Sequence, residues 1–376
     1  MSTNQDSAVN HRLLSLDVIR GAVILGMIIV NSAAYVYYVA QLPIAPWFLH
    51  ANWSGFLFAD WVFPAFIVIV GVSIPLSLRE FRKSGGVDRK VYERILGRSI
   101  KLILLGIFLS NIYRWFNEID LSQLRFFGVL QRIGIVYCAT AFIYLYASRL
   151  FMAGLVCAIL AAYWLLVNMP VPGGDVTDLS IAGANFVSWV DRSALGDHAF
   201  IKTPLGYDPE GILSTFPVVA QCLIGVLLGM RIGAQQVSRG LVVKVFGAGI
   251  LMCLTGIALS SALPIIKDLW TSSYVLVTTG LTFMLFASAL WAVDIVGYHR
   301  FPIGVLHVFG VNAIAAYTLH HLLSFILVSA PMIGSYEIMS GLAPGWVAAL
   351  APVVIFIWII WLAMNWLWKN KNVIKI

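Results

Sequence analysis

Long apolar runs separated by short polar stretches dominate the chain. A run of about 18 or more apolar residues predicts a helix that crosses a membrane, because about 20 helical residues span the hydrocarbon core. The strands of a membrane barrel would instead alternate apolar and polar positions, and these runs do not. The pattern therefore predicts an all-α polytopic membrane protein, a bundle of about ten transmembrane helices. The predicted spans are 13–38, 55–78, 96–117, 126–147, 150–168, 211–231, 241–263, 271–293, 304–329 and 346–368.

Composition agrees with a membrane location. The 376 residues are 60% hydrophobic and 11% charged, which is too apolar for a soluble domain of this length. We therefore treat residues 1–376 as a single transmembrane domain. Its one long polar segment, at about 169–210, is rich in Pro, Gly and Asp. A segment of that length is usually functional or disordered, and we expect this one to fold as a non-cytoplasmic cap over one mouth of the bundle.

The basic residues predict the orientation. Eight of them lie between positions 79 and 101, and more follow the run at 211–231 and occupy the last residues of the chain. If the spans alternate, all of these face one side, whereas the acidic 169–210 segment faces the other. The positive-inside rule then places both termini in the cytoplasm. The net charge of +7 is accounted for by this topology, and no soluble basic face is left for nucleic acid.

His50 is the strongest catalytic candidate. It lies in a short polar loop just before the second span, where it is the only ionisable residue between 39 and 54. A neutral imidazole can take a proton from an attacking amine or hydroxyl, or can carry an acyl group itself. The alternative is an interfacial histidine bonded to a loop carbonyl. Asn31 lies near the same end of the first span. It could orient the imidazole or donate a hydrogen bond to an oxyanion. The structural alternative is a helix–helix hydrogen bond.

Several further polar residues lie inside or beside spans, and each has a structural alternative. Asp17 and Arg20 form a local ion pair or expose Arg20 to a phosphate. Arg132 lies about one turn into its span and is expected to pair with a carboxylate such as Asp60 or Glu210. Asp208 with Glu210 binds a cationic or sugar-like acceptor or caps the helix that follows.

Asn312 and His320 are eight residues apart on one helical face, about 12 Å along its axis. They either line a cavity or pack in the core. No nucleotide loop, zinc spacing or nucleophile elbow is present, so the sequence predicts no metal.

Six sequence blocks in a fixed order, covering nearly the whole chain, resemble the heparan-α-glucosaminide N-acetyltransferase family, including its shorter bacterial members. The blocks are Leu16–Gly21, His50–Gly55 with Ala59-Asp60 and Phe63-Pro64, Gly128–Gly134, Tyr207–Leu213, Leu269-Trp270 with Ser273-Tyr274, and Gly310–Asn312 with Tyr317 and His320. The resemblance implies that acetyl-CoA is the cosubstrate and that it enters from the cytoplasm. It also implies that a glucosamine-type amino group on the far side accepts the acetyl group. The catalytic histidine of the family matches His50, and an assisting asparagine matches Asn31.

The resemblance and the polar residues together predict a site that crosses the bundle. We expect a tunnel for the pantetheine arm, with CoA phosphates at the cytoplasmic end. The candidates for binding the cofactor are Asp17, Arg20, Arg98, Lys101, Arg239, Asn312 and His320. The candidates for binding the acceptor are Trp53, Asp60, Arg132, Asp208 and Glu210.

The animal members have a large luminal region that this chain lacks, which favours a bacterial inner membrane as the location. The predicted partners are the sugar acceptor and membrane lipid, and a homodimer is left open. The rival function is transport of amino sugars or chitin-derived oligosaccharides. A transporter is expected to show paired broken helices or repeated halves, and no second copy of any block is visible.

Overall fold

The computed structural model describes residues 13–83, 88–112, 121–173, 177–234 and 236–374. Regular structure in these ranges is helical, and two isolated β-bridges join loops. The helices are α1 (Leu14–Tyr38), α2 (Phe58–Lys83), α3 (Arg89–Ser110), α4 (Val129–Tyr146), α5 (Arg149–Val167), α6 (Phe186–Leu195), α7 (Thr215–Gly233), α8 (Arg239–Leu259), α9 (Ser272–Ala289), α10 (Ile303–Val311), α11 (Ala313–Leu323), α12 (Ala330–Ser340), α13 (Gly345–Ala348) and α14 (Leu350–Lys369).

Within the described ranges, eight helical segments are long and apolar enough to cross a membrane. The pair α10 and α11 makes a ninth if it counts as one span, but it is bent by 83° at Asn312. The prediction of an all-α polytopic membrane protein is therefore confirmed, and the ninth predicted span, 304–329, is broken into two helices. The predicted third span, 96–117, differs. Helix α3 begins earlier and carries five basic residues, so it does not qualify as an apolar span, and residues 113–117 lie outside the described ranges.

The bundle has two chemically different ends. At the end that we call the basic end, Arg82 donates to the carbonyl of Ala147 between α4 and α5 at 2.7 Å, and Arg79 donates to the carbonyl of Gly233 at the end of α7. At the other end, the His50 end, the loop between α1 and α2 meets α13, with the Trp47 and Trp346 rings 5.6 Å apart. Arginines of α2 therefore bind backbone carbonyls at the basic end, and two tryptophan rings pack together at the His50 end.

Close backbone contact joins α2 to α7 in the core. A Cβ added at Gly71 would overlap the carbonyl of Cys222, and one at Gly225 or Gly229 would overlap a carbonyl of α2. Small residues permit this approach, and they are common where membrane helices pack. The Gly225 and Gly229 spacing in the sequence thus marks a real helix contact.

The long polar segment at about 169–210 packs on the His50 end. The long polar segment contains α6 and forms a small core of its own, in which Trp53, Tyr163, Val187 and Tyr207 are buried together. Residues 174–176 of this segment lie outside the described ranges. The loop that carries His50 therefore contacts this segment directly.

We predict that Gly225→Val lowers the melting temperature of the purified protein in detergent. The added side chain must displace the α2 backbone, and overpacking of a filled core costs about 1–3 kcal/mol. Gly247→Val is the matched control, because a Cβ at Gly247 has no neighbour within 4 Å. Equal melting temperatures for the two variants would contradict the α2–α7 contact.

Candidate functional site

A tight turn presents His50 at the start of α2. Gly55 has φ +128°, a value that side chains other than glycine rarely adopt, and its N–H donates to the carbonyl of Ile265 at 2.9 Å. Trp53 fixes the other side of the turn. Its Nε1 donates to the carbonyl of Leu179 at 2.8 Å, and its ring meets Tyr207 edge-on at 5.2 Å. The loop is therefore held from two sides while His50 stays 40% exposed.

Asp60 in the first turn of α2 holds the His50 ring. The Nδ1 of His50 lies 2.8 Å from Oδ1 of Asp60, whose side chain is fully buried. The second carboxylate oxygen accepts backbone N–H groups from Ala51 at 3.2 Å and Leu57 at 2.9 Å. A carboxylate only accepts, so Nδ1 carries the hydrogen and Nε2 keeps its lone pair for a proton or an acyl group.

The pairing of Asp60 with His50 differs from the prediction. The sequence predicts that Asp60 binds the acceptor and that Arg132 pairs with Asp60 or Glu210. In the structure the backbone turn between positions 50 and 60 brings the carboxylate to the imidazole instead. Tyr274, from α9, supports the same turn by donating its hydroxyl to the backbone carbonyl of Asp60. Sequence reasoning missed this positioning role of Tyr274, although it lies in a block that carries the family resemblance.

Asn31 is half-buried on α1 and makes no hydrogen bond with His50 in the described part of the chain. It lies one turn beyond Met27, on the helix face that also carries Ile24. Ile24 and Met27 line a cavity of about 10 Å³ together with Phe66 and Tyr317. Asn31 thus continues the face of an apolar cavity towards the His50 end, but the volume of this cavity is only about that needed for one water molecule.

Arg125 joins two buried carboxylates. Its Nη2 lies 3.2 Å from Asp208 and 2.5 Å from Glu210. Burial raises the pKa of Asp208, and the nearby Glu210 charge adds to this. Burial also opposes ionisation of Glu210, but the Arg125 and Arg132 charges outweigh it and lower its pKa. Sequence reasoning did not identify Arg125. The available signal was that Asp208 and Glu210 have no basic residue beside them in the sequence and therefore need a basic partner from elsewhere.

Arg132 is fully buried and forms no ion pair within the described ranges. Its Nη2 donates to Oγ of Ser214 at 2.5 Å and to the carbonyl of Gly211 at 3.2 Å. Its guanidinium lies 5.3 Å from the centroid of the Trp270 ring. The expectation that Arg132 pairs directly with Asp60 or Glu210 is therefore wrong. The arginine instead fixes the turn that leads into α7, because the carboxylates are already held by His50 and Arg125.

The candidates for binding the cofactor lie in different surroundings. Arg20 pairs with Asp17 at 2.9 Å and donates to Ser73 at 3.1 Å. Arg98 stacks 4.6 Å from the centroid of the Tyr137 ring, while Lys101 and Arg239 are exposed.

Asn312 and His320 have separate structural partners. Asn312 holds the end of the chain, donating to the carbonyl of Asn372 at 3.2 Å and accepting from the N–H of Ile374 at 2.9 Å. His320 lies 3.3 Å from the Ser32 hydroxyl and meets the Phe356 ring. In the described ranges Asn312 therefore binds the backbone of the last residues, whereas His320 packs between α1 and α14.

A family model described as heparan-alpha-glucosaminide N-acetyltransferase, catalytic, matches residues 12–256. The chain is 26% identical to the human heparan-alpha-glucosaminide N-acetyltransferase, in an alignment that covers 77% of this chain and 50% of that protein. It is also 26% identical to the mouse protein of that name, in an alignment that covers 85% of this chain and 55% of that protein. The chain spans about half the length of these relatives. Together with its apolar helices, these matches show an integral multi-pass membrane protein.

We predict that Asp191 makes stability fall as pH rises from about 4 to about 7. Its buried carboxyl accepts the N–H of Ile212 at 2.9 Å, and burial raises its pKa to about 7. The folded pKa exceeds the unfolded value of about 3.9, so the folded state binds the proton more tightly and loses that advantage as pH rises through 7. Asp191→Asn, which mimics the protonated acid, should flatten the melting temperature between pH 5 and 7.5.

Asp197→Asn is the control for this measurement, because Asp197 is exposed on the same segment. It should leave the wild-type pH slope in place. A slope that Asp191→Asn leaves unchanged would contradict the protonated, buried state of that carboxyl.

Proposed function

Because the chain belongs to the family of heparan-α-glucosaminide N-acetyltransferase catalytic domains, we propose that it is a membrane acetyltransferase. The cosubstrate is acetyl-CoA, and the acceptor is the amino group of a glucosamine-type sugar. The family match includes His50, Asp60 and the Asp208–Glu210 segment. The observation that carries the proposal is the 2.8 Å hydrogen bond between His50 and the buried Asp60, which leaves Nε2 of a half-exposed imidazole free.

The His50–Asp60 pair has the geometry of a general base. As the neutral amine attacks the thioester carbonyl, Nε2 takes its proton, and the tetrahedral intermediate then expels the CoA thiolate. The proton on the imidazolium can return to the thiolate, so no other reactant is needed. The Asp60 carboxylate stabilises the imidazolium formed on the way, as in other histidine–carboxylate pairs.

A covalent route uses the same atom. Nε2 attacks the thioester carbonyl, the CoA thiolate leaves, and the amine then attacks the acetyl-imidazole. Rapid-quench trapping with radiolabelled acetyl-CoA and no acceptor separates the two routes. Label that stays on the wild type and is absent from His50→Ala supports the covalent route, and label absent from both supports direct transfer.

The apolar cavity below Asn31 supports a path for the pantetheine arm. A cavity of about 10 Å³ does not admit a thioester, so Met27 and Phe66 must move when acetyl-CoA binds. Asn31 would then reach the thioester oxygen and donate to the developing oxyanion. The proposed contacts of the CoA phosphates remain Arg20 and Arg239 at the basic end, with Arg98 and Lys101 near the middle of α3.

The proposed topology follows from the charge asymmetry of the two ends. The basic end faces the cytoplasm, and the His50 end faces the periplasm of a bacterial inner membrane. The acceptor then approaches His50 beside Trp53, under the segment that contains α6. In this arrangement Asp208 and Glu210 shape the acceptor side by fixing Arg125.

Transport of amino sugars is the second candidate function. The 83° bend between α10 and α11 favours it, because broken helices form the binding sites of many transporters. One assay separates the candidates. CoA binding is measured on the purified protein, and glucosamine uptake is measured in proteoliposomes. Uptake by a protein that binds no CoA would reject the acetyltransferase proposal.

We predict that His50→Ala and Asp60→Asn each lower kcat for acetyl transfer to glucosamine by about 10²–10⁴-fold. The first removes the base, and the second replaces an acceptor with an amide that can donate to Nδ1 and disfavour the active tautomer. Acetyl transfer is measured with purified protein in detergent.

The control variant is His299→Ala, which changes an exposed histidine outside the site and should retain wild-type kcat. Melting temperatures of all variants separate a lost base from a lost fold. Turnover by a folded His50→Ala protein at the wild-type rate would reject the proposed mechanism.

A further inference from the structure

A separate cavity lies at the His50 end, between the end of α3 and the segment that follows α6. Its volume is about 280 Å³, and its walls include Asn111, Gln123, Arg125, His198, Phe200 and Lys202. None of these residues belongs to the His50–Asp60 pair or to the apolar cavity below Asn31. The cavity is large enough for a small polar headgroup, near the lower limit of ligand pockets.

The side chains that line this cavity are basic or neutral. Arg125 and Lys202 bring permanent positive charge, and no carboxylate is among the described residues that line it. Asp208 and Glu210 bind Nη2 of Arg125 from behind, while Nη1 has no hydrogen-bond partner among the described residues. The ammonium of Lys202 donates to Oε1 of Gln123 at 3.2 Å, which leaves two of its hydrogens for a ligand.

The arginine is held rigidly before any ligand arrives. Its backbone N–H donates to Oδ1 of Asn111 at 2.8 Å, and its carbonyl accepts from Nδ2 of the same residue at 3.0 Å. Its guanidinium stacks 4.1 Å from the centroid of the Phe200 ring. A fixed guanidinium beside a free ammonium is an arrangement that binds phosphate oxygens at low entropic cost.

Exposed apolar side chains lie next to the cavity. Phe108 at the end of α3 is 44% exposed, Leu121 is 66% exposed and Phe126 is 44% exposed. Phe126 packs on the ring of His198, which lines the cavity, with the ring centroids 4.6 Å apart. In an integral membrane protein, such exposed apolar side chains contact acyl chains. The two cations therefore lie where the apolar surface ends, at the depth of lipid headgroups.

We propose that this cavity binds the phosphate group of an anionic membrane lipid in the leaflet at the His50 end. The phosphate oxygens contact Nη1 of Arg125 and Nζ of Lys202, and the acyl chains lie along Phe108, Leu121 and Phe126. Basic pockets at the surface of membrane proteins bind lipid headgroups in this way. The proposal does not depend on acetyl transfer, because neither His50 nor Asp60 takes part, although Arg125 also lies on the proposed acceptor side.

Binding is tested with purified protein in nonionic detergent by isothermal titration. The probes are dihexanoyl phosphatidylglycerol, dihexanoyl phosphatidylcholine and inorganic phosphate. We expect the wild type to bind phosphatidylglycerol more tightly than the other two, and Lys202→Gln to weaken that binding by about fivefold. Lys202 is exposed, so its loss leaves the fold intact, which an unchanged melting temperature checks.

The matched control is Lys244→Gln, which removes an exposed lysine at the basic end and should leave the affinity unchanged. Equal affinity of wild type and Lys202→Gln for phosphatidylglycerol would overturn the proposal. Inorganic phosphate binding as tightly as phosphatidylglycerol would also overturn it, because the occupant would then be a free anion. Acetyl-transfer activity is not a readout, so neither result bears on the proposed function.

Discussion

The hydrogen bond between the buried carboxylate of Asp60 and Nδ1 of His50 is the interaction on which the site depends. A carboxylate at the start of a membrane span is costly to bury, and it is tolerated only when its oxygens are satisfied. Here one oxygen holds the imidazole and the other accepts two backbone N–H groups of the preceding loop. The hydrogen bonds that stabilise the buried carboxylate therefore also fix the tautomer and the orientation of the imidazole, and they fix the turn that carries His50.

Further contacts connect this pair to the surrounding loops and to other buried charges. Trp53 ties the His50 loop to the segment containing α6, and that segment leads through Tyr207 to the carboxylates that hold Arg125. Buried charges that lose one partner destabilise a protein by about 3–5 kcal/mol, so such a chain of pairs resists rearrangement. The His50 end is consequently rigid, whereas the apolar cavity below Asn31 is lined by flexible Met27 and by Phe66. Movement on binding is expected in the passage rather than at the base.

Apolar periodicity predicted the helical architecture well, because the membrane demands long uninterrupted apolar runs. The predicted third span, 96–117, overlaps α3, whose five basic residues keep it from qualifying as an apolar span over the described residues. His50 could be found from the sequence as an ionisable residue in an otherwise uncharged loop. Its partner could not, because Asp60 reaches it only through the turn at Gly55. For the same reason the sequence did not predict that Arg125, rather than Arg132, pairs with Glu210. Pairing among buried charges depends on loop geometry that periodicity does not encode.

The most direct measurement of the central claim is a double-mutant cycle on kcat/KM for acetyl transfer. It compares wild type, His50→Ala, Asp60→Asn and the double variant. If Asp60 acts only by positioning the His50 imidazole, then Asp60→Asn has no further effect once that imidazole is absent. The double variant should therefore be as active as His50→Ala alone. A double variant whose loss equals the product of the two single losses would show that the carboxylate and the imidazole act independently, and would contradict the account.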